Sequence, residues 1–289
     1  MNRFLIMDFR TIVDIDTPDF SIQPFANIMC VGSCFADRIG ERFKEEKFPA
    51  VVNPFGVMYN PASILHTVEK IAADGSSVPD VALLTLGTNH VYILKETGEI
   101  VDNCKKRPHK LFNEISLSVE ECLDYLQKAV NLLEGLNDNI KVVITVSPIR
   151  YAKYGFHGSA LSKAALLLAA DRLVENNTDR VVYFPAYEIV NDELRDYRFY
   201  QPDMIHPSEQ TVEYIWQRFQ QFFFSDDARL FLTKWKPIKE ALGHKPFNPN
   251  SEEYVTFLKT TREKLEKLEE NYGTSLFIHE HMKLDELIG

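Results

Sequence analysis

The strongest constraint on the fold of this chain is the regular exchange of short, unbroken apolar runs with stretches of helical periodicity. Asn27 to Val31, Ala50 to Asn53, Val81 to Leu86, Ile140 to Val146 and Arg180 to Phe184 are short runs rich in Val, Ile and Leu. Between them apolar residues recur at helical spacing, as in Phe35, Ile39 and Phe43 or Ile64, Leu65, Val68 and Ile71. A strand that is apolar at nearly every position has no solvent face, so its sheet must be covered on both sides. Parallel strands joined by helical crossovers achieve that. The pattern predicts an α/β fold with a five-stranded parallel sheet. In such open sheets ligands bind at the carboxyl ends of the strands.

The residues that follow those ends are chemically distinctive. The first run ends in Gly32-Ser33-Cys34, two small nucleophilic side chains at the point where strand gives way to helix. The first N–H groups of a helix lack partners in their own helix, so a hydroxyl or thiol there sits beside donors able to hold an oxyanion. The competing reading makes Ser33 a simple N-cap and Cys34 a small core residue. Gly56 follows the second run, Gly87-Thr88-Asn89-His90 the third, and Ser147 the fourth. Asp203 and His206 precede a helix opened by Ser208. Glu96-Thr97-Gly98-Glu99 sits inside an alternating stretch and predicts a β-hairpin insertion over 91–103. Ser118 and Glu121 have capping-box spacing.

Composition narrows the partners. The formal net charge is -10 and no basic cluster offsets it, which argues against a nucleic-acid partner. No stretch is long and apolar enough for membrane insertion, and Met1 to Ile6 is too short for a signal peptide, so a cytoplasmic location is expected. Cys30, Cys34, Cys104 and Cys122 show no paired metal spacing and no disulfide framework. Residues 1–225 read as one α/β domain. Residues 226–289 read as a helical C-terminal extension packed on it, including a long charged helix with an apolar stripe at Tyr254, Leu258, Leu265 and Leu268.

Gly32-Ser33-Cys34-Phe35-Ala36 spells the motif for which the GSCFA family is named. Val52-Asn53-Pro54-Phe55-Gly56, Ser147-Pro148-Ile149-Arg150 and Asp203-Met204-Ile205-His206-Pro207 resemble its other blocks, in the same order. By similarity that family belongs to the SGNH (GDSL-like) hydrolase superfamily, which implies a flavodoxin-like three-layer α/β/α sandwich. The resemblance implies a nucleophile two positions after the strand-end glycine, which here is Cys34. Ser33 stands at the usual aspartate position and remains the second candidate. It implies an oxyanion hole from Gly56 and Asn89, and a base, His206, oriented by Asp203. Arg150 and His157 are candidates to contact a polar or anionic part of the substrate, and His90 to line the same pocket.

These observations predict an esterase or acyltransferase that works through a covalent acyl-enzyme without metal or other cofactor. Its partner would be a small-molecule or glycan ester, with O-acylated carbohydrate implied by the superfamily resemblance. The alternative is a non-catalytic protein that keeps the pocket for a sugar or acyl ligand. A redox-sensing role for Cys34 lacks an evident resolving cysteine.

Overall fold

A computed structural model describes residues 9–75, 78–104 and 106–288, so Met1 to Ile6 lie outside the described residues. The chain divides at Phe223/Phe224 into two compact units. The first contains strands β1 (Ile28–Gly32), β2 (Ala50–Val52), β3 (Val81–Leu86), β4 (His90–Leu94), β5 (Ile100–Val101), β6 (Phe112–Ser116), β7 (Lys141–Val146) and β8 (Val181–Tyr183). Its helices are α1 (Cys34–Glu45), α2 (Pro61–Asp74), α3 (Val119–Leu136), α4 (Gly155–Asn176), α5 (Ala186–Glu188), which continues as a π-helix over Ile189–Leu194, and α6 (Glu209–Phe223).

The five apolar runs form one parallel sheet in the order β2-β1-β3-β7-β8, with Gly32 paired to Thr85 and Leu86 to Val146. This is the flavodoxin-like strand order. Alternate side chains divide between two layers. Met29, Val31, Leu84, Leu86, Val142 and Ile144 belong to a core with buried residues of α2, α3 and α4 such as Val68, Leu126 and Leu166. The other layer, α1 and α6, is aromatic: Phe43 meets Trp216 edge-on at 4.8 Å, and Phe219 stacks on Phe223 at 4.6 Å.

Local chemistry explains where α1 begins and how it lies. Ser33 caps it, Asp37 occupies its first turn and Lys44 its last, so each charge complements the helix dipole. A Cβ on Gly40 would come within 2.4 Å of Val52 Cγ2, so only glycine lets α1 lie this close to β2.

The insertion differs from the expected hairpin. β4 pairs antiparallel with β5, as Glu96-Thr97-Gly98-Glu99 suggests, and also with β6, giving a three-stranded sheet. β6 left little hydrophobic signal because Phe112 is its only buried residue. Helix α4 begins at Gly155, within a stretch rich in Tyr and Gly.

In the second unit, α7 (Asp226–Gly243), α8 (Glu252–Tyr272) and α9 (Ile278–Ile288) follow one another. Ser225 and Ser251 cap the first two. Trp235 packs on Phe277 at 5.7 Å and Phe231 on Tyr272 at 5.1 Å. Among the described residues no helix is long and apolar enough to cross a membrane.

Candidate active site

The turn from β1 to α1 separates its two nucleophile candidates. Ser33 is fully buried, and its backbone N–H donates to Thr85 O and Oγ1 at 3.1 and 2.9 Å. Its Oγ lies 3.0 Å from Thr85 Oγ1 and accepts from Phe35 N at 3.3 Å. The hydroxyl is therefore spent on the helix cap and on β3. Cys34, the first residue of α1, is partly exposed, and its Sγ lies 3.5 Å from the Tyr59 hydroxyl. Burial pushes the Cys30 thiol well above its ordinary value and the Cys122 thiol up to about 12. All four cysteines are free.

Asp203 and His206 form a pair. His206 Nδ1 lies 2.6 Å from Asp203 Oδ2, while Asp203 Oδ1 accepts from the N–H groups of Ile205 and His206 at 2.9 and 3.0 Å. The backbone N–H of His206, then its ring, then the N–H of Ile205 hold the carboxyl down at about 2, so it is anionic at any ordinary pH. The ring is held through Nδ1, which directs the tautomer toward leaving Nε2 as the acceptor.

Two ties bring this loop to the strand ends. Arg38, one turn beyond Cys34, and Arg42 form ion pairs with Glu209, three residues beyond His206. Arg150, after β7, donates its N–H to Ile205 O and its Nη1 to Met204 O, each at 3.1 Å.

Two expected oxyanion donors are committed elsewhere. Gly56 N donates to Asn53 O at 2.8 Å, closing the turn that takes Gly56 to φ +95°. The residue of that block which reaches the turn from β1 to α1 is Asn53: its Oδ1 accepts from Gly32 N at 2.9 Å and its Nδ2 donates to Asp37 at 2.6 Å. Asn89 turns inward, its Nδ2 donating to Leu117 O at 2.7 Å and its N–H to Ser162 Oγ at 3.0 Å. Asn89 thereby anchors the start of the insertion.

An aromatic wall extends from Cys34. Tyr59 meets Tyr151 edge-on at 6.0 Å, Tyr151 stacks toward Tyr154 at 6.5 Å, and Tyr154 lies flat on His90 at 3.7 Å. Desolvation lowers the pKa of His90, and its Nδ1 lies 3.1 Å from Ser116 Oγ. Burial first, then the hydrogen bond with Cys34, raise the Tyr59 phenol well above its ordinary value, so it remains a donor. A Cβ on Gly87 would fall 2.5 Å from the Tyr151 hydroxyl, so this glycine admits the ring. His157 stands exposed on the first turn of α4, with no hydrogen bond to these groups among the described residues.

Sequence reasoning passed over Lys163. It is 3% exposed, and its Nζ donates to Gly87 O and Ser147 O at 2.7 Å each, joining the ends of β3 and β7. The signal lay in its spacing, since it falls three residues before Leu166 on the buried stripe of α4. Desolvation pushes the amine down to about 7 from 10.5, and a neutral amine has two N–H groups for those two carbonyls. Between these values the unfolded chain binds a proton that the folded chain does not. Stability from this residue therefore rises with pH over that window, and below about 7 the penalty is present in full. The difference in unfolding free energy between wild type and Lys163→Met, from denaturant melts, should change by a few kcal/mol across roughly pH 7 to 10. Parallel curves would show that Lys163 does not titrate in this way.

The parallel sheet, with a thiol at its first strand-to-helix turn and an Asp-His pair before α6, defines a flavodoxin-like α/β protein. The chain belongs to the GSCFA family: the model described as "GSCFA family" matches residues 27–79 and 76–219, and that of the "GSCFA domain protein, C-terminal domain" matches 235–282. No curated protein matches it in sequence. Solved structures similar to it include a variant of an acetyl-xylooligosaccharide esterase from Geobacillus, at 11% identity over 68% of this chain and 93% of that one, TM-score 0.45. A carbohydrate esterase of family 3 from Talaromyces cellulolyticus matches at 14% identity over 69% and 91%, TM-score 0.39. A GDSL-like lipase from Bacteroides thetaiotaomicron matches at 13% identity over 68% and 86%, TM-score 0.41.

Proposed function

We propose that this protein hydrolyses or transfers ester-linked acyl groups through a thioester on Cys34, with O-acylated carbohydrate as its substrate class. The observation that carries the proposal is the Asp203–His206 pair, held at 2.6 Å on a loop tied to the helix that Cys34 begins. His206 Nε2 takes the thiol proton as sulfur attacks the acyl carbon, and returns it to the departing sugar oxygen. Water or an acceptor hydroxyl, deprotonated by the same nitrogen, then breaks the thioester. Asp203 orients the ring and balances the imidazolium charge.

The oxyanion is held by the Cys34 N–H at the helix start and by the Tyr59 hydroxyl, since Gly56 N–H is already engaged and Asn89 Nδ2 is drawn inward to Leu117 O. That engagement is also the observation favouring the second reading, a sugar- or acyl-binding protein without turnover. The carbohydrate assignment rests on the superfamily resemblance. Incubation with p-nitrophenyl acetate, acid quenching and peptide mapping test the chemistry. The acetyl group is expected on the peptide carrying Cys34, labile to hydroxylamine at neutral pH as a thioester is. Acetyl on the Ser33 oxygen, or ester turnover with no covalent intermediate, would overturn the assignment.

A further inference from the structure

On the segment that leads to the Asp203–His206 pair lies a cavity of about 280 Å³ lined by Arg150, Val190, Asn191, Arg195, Asp196, Tyr197 and Tyr200. This is near the lower end of the size range of small-ligand sites, enough for one ring rather than a chain. The segment that carries Tyr197 and Tyr200 runs directly into the dyad. Tyr200 bridges to Pro207, and Gln201 N donates to His206 O at 2.7 Å. A group seated in this cavity therefore lies on the chain segment that presents the imidazole.

The charge of the cavity is opposite to that of the molecule. In a protein of net charge -10, neither Arg150 nor Arg195 forms an ion pair with a carboxylate among the described residues. Arg150 uses Nη1 for Met204 O, leaving the rest of its guanidinium edge unspent. Its plane is held by aromatic rings, 4.2 Å from the centroid of Phe156 and 5.5 Å from that of Tyr200. The one acid lining the cavity, Asp196, is already occupied, since its Oδ1 caps Arg198 N at 2.9 Å and its Oδ2 lies 4.0 Å from Arg198 Nε. Two guanidinium groups without a carboxylate ion pair, beside a 68% exposed tyrosine, make a site with fork donors for an anion and an apolar face for a sugar ring, although Asp192 and Glu193 also stand near Arg195 on its other side.

We infer that this cavity is a subsite for an anionic group on the acylated sugar, a sugar carboxylate or a sugar phosphate. The inference rests on the ester reading for its link to catalysis, but the subsite can be tested without turnover. Calorimetry would compare O-acetylated methyl glucuronoside and O-acetylated methyl glucoside 6-phosphate with the neutral O-acetylated methyl glucoside, on the full chain carrying Cys34→Ala. At least one anion is expected to bind about tenfold tighter than the neutral sugar, with the preference shrinking as salt rises. Whichever anion is preferred identifies the source of the charge. Arg195→Glu in the same background should abolish the preference, and the milder Arg195→Gln should reduce it. Arg150→Lys, which keeps the charge but not the fork, should reduce it too.

Equal binding of all three sugars, no measurable binding of either anion, or a preference that survives Arg195→Glu would overturn the inference. The ester reading is judged separately with unmodified Cys34. Anion preference without release of acetate would leave the subsite standing and remove the hydrolase, and acetate release without anion preference would do the reverse.

Discussion

Cys34→Ala is expected to lower kcat on an acetyl ester by about a thousandfold or more, and His206→Ala by a similar factor, because nucleophile and base act as a unit. The double variant should be little worse than either single one for the same reason. Ser33→Ala should behave differently. Its hydroxyl caps α1 and meets Thr85, so the loss should appear as about 1–2 kcal/mol of stability with catalysis reduced far less. Tyr59→Phe removes only the hydroxyl that lies 3.5 Å from Cys34 Sγ. If that hydroxyl holds the oxyanion, kcat should fall roughly tenfold to a hundredfold with little change in KM. Steady-state kinetics together with thermal melts of the four single variants separate these roles. An inactive but well-folded Ser33→Ala protein beside an active Cys34→Ala protein would transfer the nucleophile to the serine.

Gly32→Ala should be the most damaging single change to the fold. Gly32 sits at φ +142°, and a Cβ there would lie 2.2 Å from Thr85 O and 2.8 Å from Thr85 N, the backbone of the strand paired with it. Neither strand can retreat, since β3 is also paired to β7 on its far side. A cost of about 3 kcal/mol or more is expected, visible as a melting temperature lowered by about 6 °C or more, or as insoluble expression. Gly56→Ala is the informative comparison. Gly56 also has positive φ, but no atom lies within 4 Å of its built Cβ, so only backbone strain of about 1 kcal/mol is at stake. Equal losses for the two variants would show that the approach of β3 is not what demands glycine at position 32.

The sheet was readable because burial on both faces leaves a mark on every residue of a strand. Val81 to Leu86 is apolar at five of six positions, and the strand spans those same residues. The Ser118–Glu121 capping box is also present, with both reciprocal hydrogen bonds, because a cap is local chemistry written in a few adjacent residues. β6 escaped because four of its five side chains are exposed, and its pairing with β4 is made by backbone groups that every residue possesses. The site follows the same division. The sequence alone placed a thiol, a hydroxyl, an aspartate and a histidine after strand ends or before a helix, since their neighbours in the chain set those positions.

Only the tertiary structure decided which of them remain available. Thr85, fifty-two residues from Ser33, takes up the serine hydroxyl, and Leu117 takes up the Asn89 amide. Tyr59 comes to Cys34 and Lys163 joins two strand ends through contacts between segments distant in the chain. A hydrogen-bonding group engages whatever lies within about 3 Å of it, and for these residues that neighbour is fixed by strand register and helix packing rather than by adjacent sequence.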